Sequence, residues 1–340
     1  MTVAETTFAV PAFPTDQWWA SKAASPTRSE VAISDTRRID FVSKVTGRPY
    51  SLSIAMPWAP PPPNGYSALY VLDSYAYFGT AVEATRLNVL FPGVVVVGIG
   101  YPDDPAFADE VIERRDPVPP WMLMGPRSIA ACTLQRQQDL TLPASESALA
   151  AWSTPGVLTY AADATGGLDD FLRMIEQEAK PRVRDVAPID EANTALFGHS
   201  LGGLAVVRAL FANPGAFRTF IAASPALSWA DGAVLSGEAD FAAKLAAGAA
   251  GPRVLLTVGA DEGAAPSVPE EIGMQELSPE LADLGSRIVA DIRGLAARLT
   301  RLNGPGGFHA ADAVVFPHQG HAISPWPAMG RAVSFAFLEG

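Results

Sequence analysis

The chain has 340 residues, of which 49% are hydrophobic and 18% charged, and its formal net charge is −12 at pH 7. This composition supplies a sizeable core and excludes a disordered protein. The negative charge argues against binding to nucleic acid or to an anionic membrane by bulk electrostatics. Because Cys132 is the only cysteine, an intrachain disulfide and a cysteine-rich zinc site are excluded.

The N-terminal part contains no basic segment followed by a long apolar run, and no such run occurs later. The sequence therefore predicts neither a secretory signal nor a transmembrane span, and we expect a cytoplasmic protein. We expect residues 1–30 to form a loosely ordered arm and residues 31–340 to form a single α/β domain.

Two strands separated by a turn, over residues 37–44 and 50–56, are predicted at the start of the domain. The alternating pattern of the second strand is typical of an antiparallel pair. Continuous apolar runs at 68–72 and 94–99 then indicate strands buried on both faces of a parallel sheet. Residues 76–90 have the length of the helix that connects them.

The stretch from 101 to 164 is rich in proline and aspartate, and its apolar residues show no clear period. Such long irregular segments are usually functional. We therefore expect an irregular insertion over about residues 102–164 that forms a cap or lid, with an apolar wall containing Trp121, Met122 and Met124.

The remaining chain alternates between helical stripes and apolar strands. A helix over 168–179 is predicted to end at Pro181. Further strands are predicted at 194–197, 219–223, 253–258 and 313–316, and further helices at 204–211, from Ser278 to Leu302, and at 326–338. This order predicts a mostly parallel, doubly wound sheet with antiparallel N-terminal strands.

A G-x-S-x-G pattern, Gly198 to Gly202, lies between the strand at 194–197 and the helix that follows it. In this context the pattern is typical of a nucleophile elbow, with Ser200 held on a strained turn. Glycines at both ends keep side chains away from the close approach of strand and helix. We expect the side chain of His199 to point away from the elbow and to pack in the core. The alternative is an ordinary glycine turn with no role for Ser200.

A serine hydroxyl needs a base, and two histidines follow the last predicted strand, where the sites of open α/β sheets gather. We favour His321 as the base, with His318 as the alternative. Asp261 and Glu262 end the strand before the long helix, and either could orient the imidazole. No carboxylate pattern accompanies the histidines, so we expect no metal and no cofactor.

The oxyanion of the intermediate needs two hydrogen-bond donors. The backbone amide of Leu201, directly after the nucleophile, is one candidate. The turn after the strand at 68–72 is expected to supply the second, through the amide of Ser74 or a neighbour.

The sequence resembles the "putative esterase" family of α/β hydrolases, and within it the branch that opens ferric siderophore trilactones. That family also includes esterase D, feruloyl esterase domains and mycolyltransferases. The matching stretches are Tyr70–Ser74, Val97–Tyr101, Arg136–Thr141, Gly166–Leu172, Glu178–Pro181, Thr194–Leu204, Ser224–Trp229, Val258–Glu262 and Gly320–His321.

The resemblance implies an α/β-hydrolase fold, Ser200 as nucleophile, His321 as general base and Glu262 rather than Asp261 as the acid. It also places Arg136 and Asp139 where the family has an Arg-x-x-Asp pair near the site, the alternative being a structural ion pair. We assign Arg136, Trp121 and Trp229 to substrate binding. The long insertion departs from the family and makes bulky aromatic or acyl esters as plausible as a siderophore.

The sequence thus predicts a serine esterase that acts on a small-molecule ester through an acyl-enzyme. One alternative is an acyltransferase of the same fold. Another is a non-catalytic homologue whose cap captures an apolar or iron-bearing ligand. The oligomeric state is not predicted.

Overall fold

In the computed structural model the described residues form a central mixed sheet of nine strands. Its strands are β1 (Thr36–Val42), β2 (Pro49–Ala55), β3 (Tyr66–Leu72), β4 (Val94–Gly100), β5 (Ile189–His199), β6 (Thr219–Ala223), β7 (Arg253–Gly259), β8 (His309–Ala310) and β9 (Val314–Phe316). Their order is β1-β2-β4-β3-β5-β6-β7, with β8 and β9 both paired to β7. The pairs β1–β2 and β2–β4 are antiparallel, and all other pairs are parallel. The mostly parallel sheet with antiparallel N-terminal strands is as predicted.

The structure describes residues 32–86, 93–115, 118–154, 158–249, 251–263 and 279–339. Asp35–Gly340 forms one of the two compact units of the chain. The other unit, Met1–Ser34, lies almost entirely outside the described residues, and so does the arm predicted over residues 1–30.

Helices connect the strands and cover the sheet. They are α1 (Ser74–Arg86), α2 (Pro105–Arg114), α3 (Arg127–Asp139), α4 (Glu146–Ala151), α5 (Leu168–Met174), α6 (Lys180–Arg184), α7 (Leu201–Ala212), α8 (Glu238–Ala246), α9 (Pro279–Thr300) and α10 (Pro325–Phe337). All residues of β3 and β4 are buried, which explains their uninterrupted apolar sequences. In the part of the chain that can be described, no helix has both the length and the apolar composition to cross a bilayer.

The insertion at 102–164 is more regular than the sequence predicted, since it contains α2, α3 and α4. Helix α2 begins with Pro105 after Asp104, whose side chain accepts a hydrogen bond from the amide of Ala106. Met122 is buried in the core, whereas Met124 is 69% exposed. Local caps and buried faces therefore organise a segment whose composition lacks a clear helical period.

The helix predicted to end at Pro181 continues to Arg184. A π-helical segment, Ile175–Ala179, separates α5 from α6. Pro181 lies in the first turn of α6, where the proline needs no amide proton. Ser278, the expected N-cap of α9, lies outside the described residues.

Candidate active site

Ser200 occupies the sharp turn between β5 and α7 with φ 59° and ψ −116°. This conformation is strained for a residue with a Cβ atom, so the surroundings must hold it in place. The Ser200 amide donates to the carbonyl of Ala223 (3.0 Å), and its own carbonyl accepts from Ala226 (3.1 Å) and Leu204 (2.9 Å). The turn is therefore tied both to β6 and to the start of α7.

The glycines around Ser200 let two backbones come together. A Cβ atom at position 198 would lie 2.3 Å from the carbonyl oxygen of Gly202, and one at position 203 would lie 2.8 Å from Cα of Pro225. At position 202 the nearest atom, Oδ2 of Asp73, would be 3.2 Å away. Gly198 is thus required by the contact between strand and helix, as the motif predicted.

A chain of hydrogen bonds connects Ser200 to a buried carboxylate. Nε2 of His321 lies 3.0 Å from Oγ of Ser200, and Nδ1 of His321 lies 2.8 Å from Oε2 of Glu262. The neighbouring candidates take no part in this chain: His318 follows β9 in a turn with φ 58°, and Asp261 is exposed. The geometry therefore brings together Ser200, His321 and Glu262.

The carboxylate of Glu262 is fully buried, and its other oxygen, Oε1, also accepts hydrogen bonds. Oε1 accepts from Oγ of Ser224 at 2.5 Å and from the amide of Gly259 at 2.6 Å. Burial alone would raise the pKa of Glu262, but the bonds from His321, Ser224 and Gly259 outweigh it and hold this pKa below its ordinary value. Glu262 is therefore an anion that fixes the orientation of the imidazole.

His199 packs in the core as expected, but the sequence did not predict that it packs against the ring of His321. It is buried, and its ring centroid lies 4.6 Å from that of His321. Its Nδ1 lies 3.0 Å from the hydroxyl of Tyr77. Burial, the nearby His321 and Arg136 hold the pKa of His199 well below its usual value, so its ring is neutral at pH 7.

Arg136 forms a bidentate ion pair with Asp73, in which Nε donates to Oδ1 and Nη2 donates to Oδ2, both at 2.8 Å. The ion pair places the loop after β3 against the elbow. Asp139 pairs instead with Arg48 at 2.5 Å and is fully buried. The two members of the Arg-x-x-Asp motif thus serve different ion pairs, and only Arg136 reaches the site.

A cavity of about 370 Å³ opens beside Ser200. It is lined by Arg136, Trp152, Leu158, Tyr160, Ser200, Leu201, Pro225, Ala226, Leu227, Ser228, Glu262, Leu284, Gly285, Ile288, Asp291 and His321. Its volume lies in the range of small-molecule sites. The insertion contributes four of these residues, so it forms one wall of the cavity.

The other two predicted substrate-binding residues are Trp229 and Trp121. Trp229 is fully buried behind the wall, with its ring centroid 5.3 Å from that of Trp152 and 5.0 Å from that of Tyr160. Its indole nitrogen donates to the carbonyl of Leu142 at 2.7 Å, and the ring does not line the cavity. Trp121 lies in a short 3-10 helix, and its side chain is outside the described part.

The two predicted oxyanion donors are each the first residue of a helix, Ser74 in α1 and Leu201 in α7. The first amides of a helix have no carbonyl partner within it, and they carry the positive end of its dipole. The helices begin at the carboxyl ends of the neighbouring strands β3 and β5. Leu201 lines the cavity, whereas the side chain of Ser74 packs against Gly98 and Gly100 of β4.

Sequence reasoning missed several lining residues. Trp152 and Tyr160 lie in the insertion, whose conformation the pattern did not define. Leu284 and Ile288 belong to the apolar stripe of α9. Their i, i+4 spacing was visible, but nothing in the pattern distinguished a cavity wall from a packed face.

Residues 139–281 match the model of a protein family described as "Putative esterase". Ferri-bacillibactin esterase BesA of Bacillus subtilis is 34% identical over 193 residues, which cover 55% of this chain and 57% of that protein. A siderophore enterobactin esterase of Emericella nidulans is 32% identical over 176 residues, covering 50% and 49% of the two chains. The aligned part thus spans about half the length of these curated relatives.

Solved structures extend the likeness over nearly the whole fold. The BES protein from Bacillus cereus has a TM-score of 0.70 at 24% identity, covering 92% of this chain and 100% of that one. The siderophore hydrolase EstA from Aspergillus nidulans has a TM-score of 0.66 at 23% identity, covering 91% and 98%. The chain has the α/β-hydrolase fold. Its predicted resemblance to the "Putative esterase" family is confirmed over residues 139–281.

Proposed function

We propose that the protein is a serine hydrolase that cleaves carboxylic esters through an acyl-enzyme. The observation that carries this proposal is the hydrogen-bonded chain from Ser200 through His321 to Glu262 at the wall of a cavity. The esterases among its relatives support the reaction class.

In the first half of the reaction, Ser200 Oγ attacks the ester carbonyl while Nε2 of His321 takes the hydroxyl proton. Glu262 accepts a hydrogen bond from Nδ1–H, which keeps the lone pair of Nε2 facing Ser200. The same carboxylate stabilises the imidazolium once it has formed. The 3.0 Å distance suits the proton transfer from Ser200 to His321, and the 2.8 Å distance suits the hydrogen bond from His321 to Glu262, without a rearrangement of the side chains.

The oxyanion of the tetrahedral intermediate is assigned to the backbone amides of Leu201 and Ser74. Collapse of this intermediate requires that His321 return its proton to the leaving alcohol. Water then repeats the sequence on the acyl-enzyme, with His321 again acting as base, and releases the carboxylic acid.

We assign the first substrate candidates from the relatives, two of which are named for siderophore esters. A panel of esters with varied acyl and alcohol parts, including a macrolactone, tests this assignment. Preferential hydrolysis of the macrolactone supports a siderophore-type lactone, and preference for simple aryl esters contradicts it.

The reaction itself is tested by Ser200→Ala in the full chain. We expect hydrolysis of p-nitrophenyl esters to fall at least about a thousandfold while the circular dichroism spectrum is unchanged. A fluorophosphonate should label the wild-type protein once and leave the variant unlabelled. Ser236→Ala, which removes an exposed hydroxyl far from the elbow in sequence, is the matched control. Full activity of Ser200→Ala would rule out the mechanism.

A further inference from the structure

The cavity beside Ser200 is apolar over most of its wall. Trp152, Leu158 and Tyr160 come from the insertion, and Leu284 and Ile288 come from one face of α9. Apolar walls favour an apolar ligand group, because water leaves both surfaces when they meet. The shape and chemistry of the cavity thus fit a hydrocarbon or aromatic group.

The charges around the cavity do not favour an anion. Arg136 is the only lysine or arginine among the described lining residues, and Nε and Nη2 of its guanidinium both donate to Asp73. A positive charge compensated in this way attracts a second anion only weakly. The one strong cation at the cavity is therefore already neutralised.

Two carboxylates remain at the cavity, those of Glu262 and Asp291. Asp291 lies on the lining face of α9, three residues after Ile288, and is exposed at the rim. Among the described ion pairs none includes Asp291, and Arg287, one turn before it, is paired with Asp283 at 3.3 Å. With Arg136 and Asp73 cancelling each other, the formal charge of the lining is negative.

The position of His321 indicates which part of an ester enters the cavity. The leaving alcohol must meet Nε2 of His321 to receive its proton. The imidazole is 44% exposed, and Ile323 and Trp326 just beyond it are 57% and 51% exposed. Because His321 also lines the cavity, this exposed part marks the cavity's open side. We infer that the alcohol departs there and that the acyl group lies against the apolar wall beside Leu201.

We infer that this cavity is an acyl site for apolar, uncharged acyl groups, and that Asp291 excludes acyl groups with an anionic end. The inference rests on the proposed ester hydrolysis, and it favours esters of apolar acyl groups over a siderophore-type lactone as the substrate. Asp291 acts through its charge at the rim and takes no part in the bond-breaking steps.

Two esters of equal chain length and with the same leaving group test the inference. These are p-nitrophenyl hexanoate and the mono-p-nitrophenyl ester of adipic acid, whose far end carries a carboxylate. We expect kcat/KM to be at least about tenfold higher for the hexanoate at low salt, and the difference to shrink as ionic strength rises.

Asp291→Asn should reduce this preference about threefold or more, mainly by improving hydrolysis of the adipate ester. Glu280→Gln changes the net charge by the same amount on the same helix, at an exposed position outside the cavity lining, and should leave the preference unchanged. An unchanged preference in Asp291→Asn would overturn the role of this residue.

Equal rates for the two esters in the wild-type protein would overturn the inference and leave the hydrolase mechanism standing. Fluorophosphonate labelling of Ser200 without hydrolysis of the hexanoate would likewise overturn the inference about the acyl group and leave a reactive Ser200. If the hexanoate is not hydrolysed and Ser200 is not labelled either, the proposed function itself fails.

Discussion

The ring of His199 packs against the ring of His321, with the ring centroids 4.6 Å apart and the planes inclined at 41°. In the proposed mechanism His321 becomes a cation each time it takes the proton of Ser200. A protonated His199 at this distance would oppose that step. Nδ1 of His199 shares a hydrogen bond with the hydroxyl of Tyr77, and burial keeps the ring neutral, so the contact is free of this repulsion.

This contact predicts a dependence of stability on pH. The pKa of His199 is lowered well below 6.5 in the folded state, so below pH 6.5 the unfolded chain binds a proton that the folded chain does not. Folding stability must therefore fall with decreasing pH in this range, by up to about 1.4 kcal/mol per pH unit. In His199→Asn this part of the slope should disappear, as measured by urea unfolding at pH 7.5 and 5.5.

The matched control for the loss of one imidazole is His309→Asn, which removes an exposed histidine in β8, away from the central strand β5 that contains His199. A variant His199→Asn that keeps the full wild-type slope would show that other groups cause the acid sensitivity. The quantity compared is the difference between the free energies of unfolding at pH 7.5 and 5.5, so a loss of packing energy at position 199 that is the same at both pH values cancels.

Glu262→Gln should lower kcat by about a hundredfold to ten-thousandfold, because a neutral amide cannot stabilise the imidazolium of His321 or fix its tautomer. Asp261→Asn alters an exposed neighbour and should retain wild-type kcat. The measurement is steady-state hydrolysis of p-nitrophenyl esters at pH 7.5. Similar losses in both variants would contradict the assignment of Glu262.

The lowered pKa of Glu262 adds a second expectation for the same variant. The stability that Glu262 contributes is present above the pKa of the unfolded state, near 4.5, and is lost as pH falls through the lower pKa of the folded state. Glu262→Gln should therefore unfold with less acid dependence below pH 4.5 than the wild type. An acid transition of unchanged steepness would argue against a coupled carboxylate.

The elbow could be predicted because all of its determinants are local. The pattern from Gly198 to Gly202 demands a tight turn, and an apolar strand and helix flank it directly. His321 and Glu262 could be proposed because strand ends meet at one edge of a parallel sheet. The choice of Glu262 over Asp261 needed the family resemblance, since alternation only says that the two side chains diverge.

Properties that depend on distant contacts could not be read from the sequence. Trp229 follows the sixth strand near the site, yet its ring lies behind Trp152 because Leu142 accepts its indole proton. His199 was expected in the core, and only the path of the C-terminal loop brings His321 onto its ring. The partner of Arg136 was uncertain for the same reason, because Asp73 lies 63 residues earlier in the chain.

Loss of the buried ion pair between Arg136 and Asp73 should destabilise the protein more than loss of a surface ion pair with the same geometry. Asp73→Asn leaves a buried guanidinium without its counter-charge and should lower the free energy of unfolding by about 3 kcal/mol or more. The pair Arg208–Asp169 has the same two-pronged geometry on the surface, with the Asp169 side chain 56% exposed. Asp169→Asn should therefore cost about 1 kcal/mol or less. Equal losses in urea unfolding of the two variants would refute this explanation.

Two glycine substitutions should have opposite effects on stability. Gly198→Ala places a methyl group 2.3 Å from the carbonyl oxygen of Gly202, and both partners are backbone that cannot move without breaking the turn at Ser200. We expect the free energy of unfolding to fall by about 4 kcal/mol or more, together with loss of activity.

Gly330 lies exposed in α10 with no atom within 4 Å of an added Cβ. Gly330→Ala should raise the free energy of unfolding by roughly 0.5–1 kcal/mol, since alanine favours the helix. Thermal unfolding of both variants checks the prediction, and a stable, active Gly198→Ala would show that strand and helix are not in the contact described.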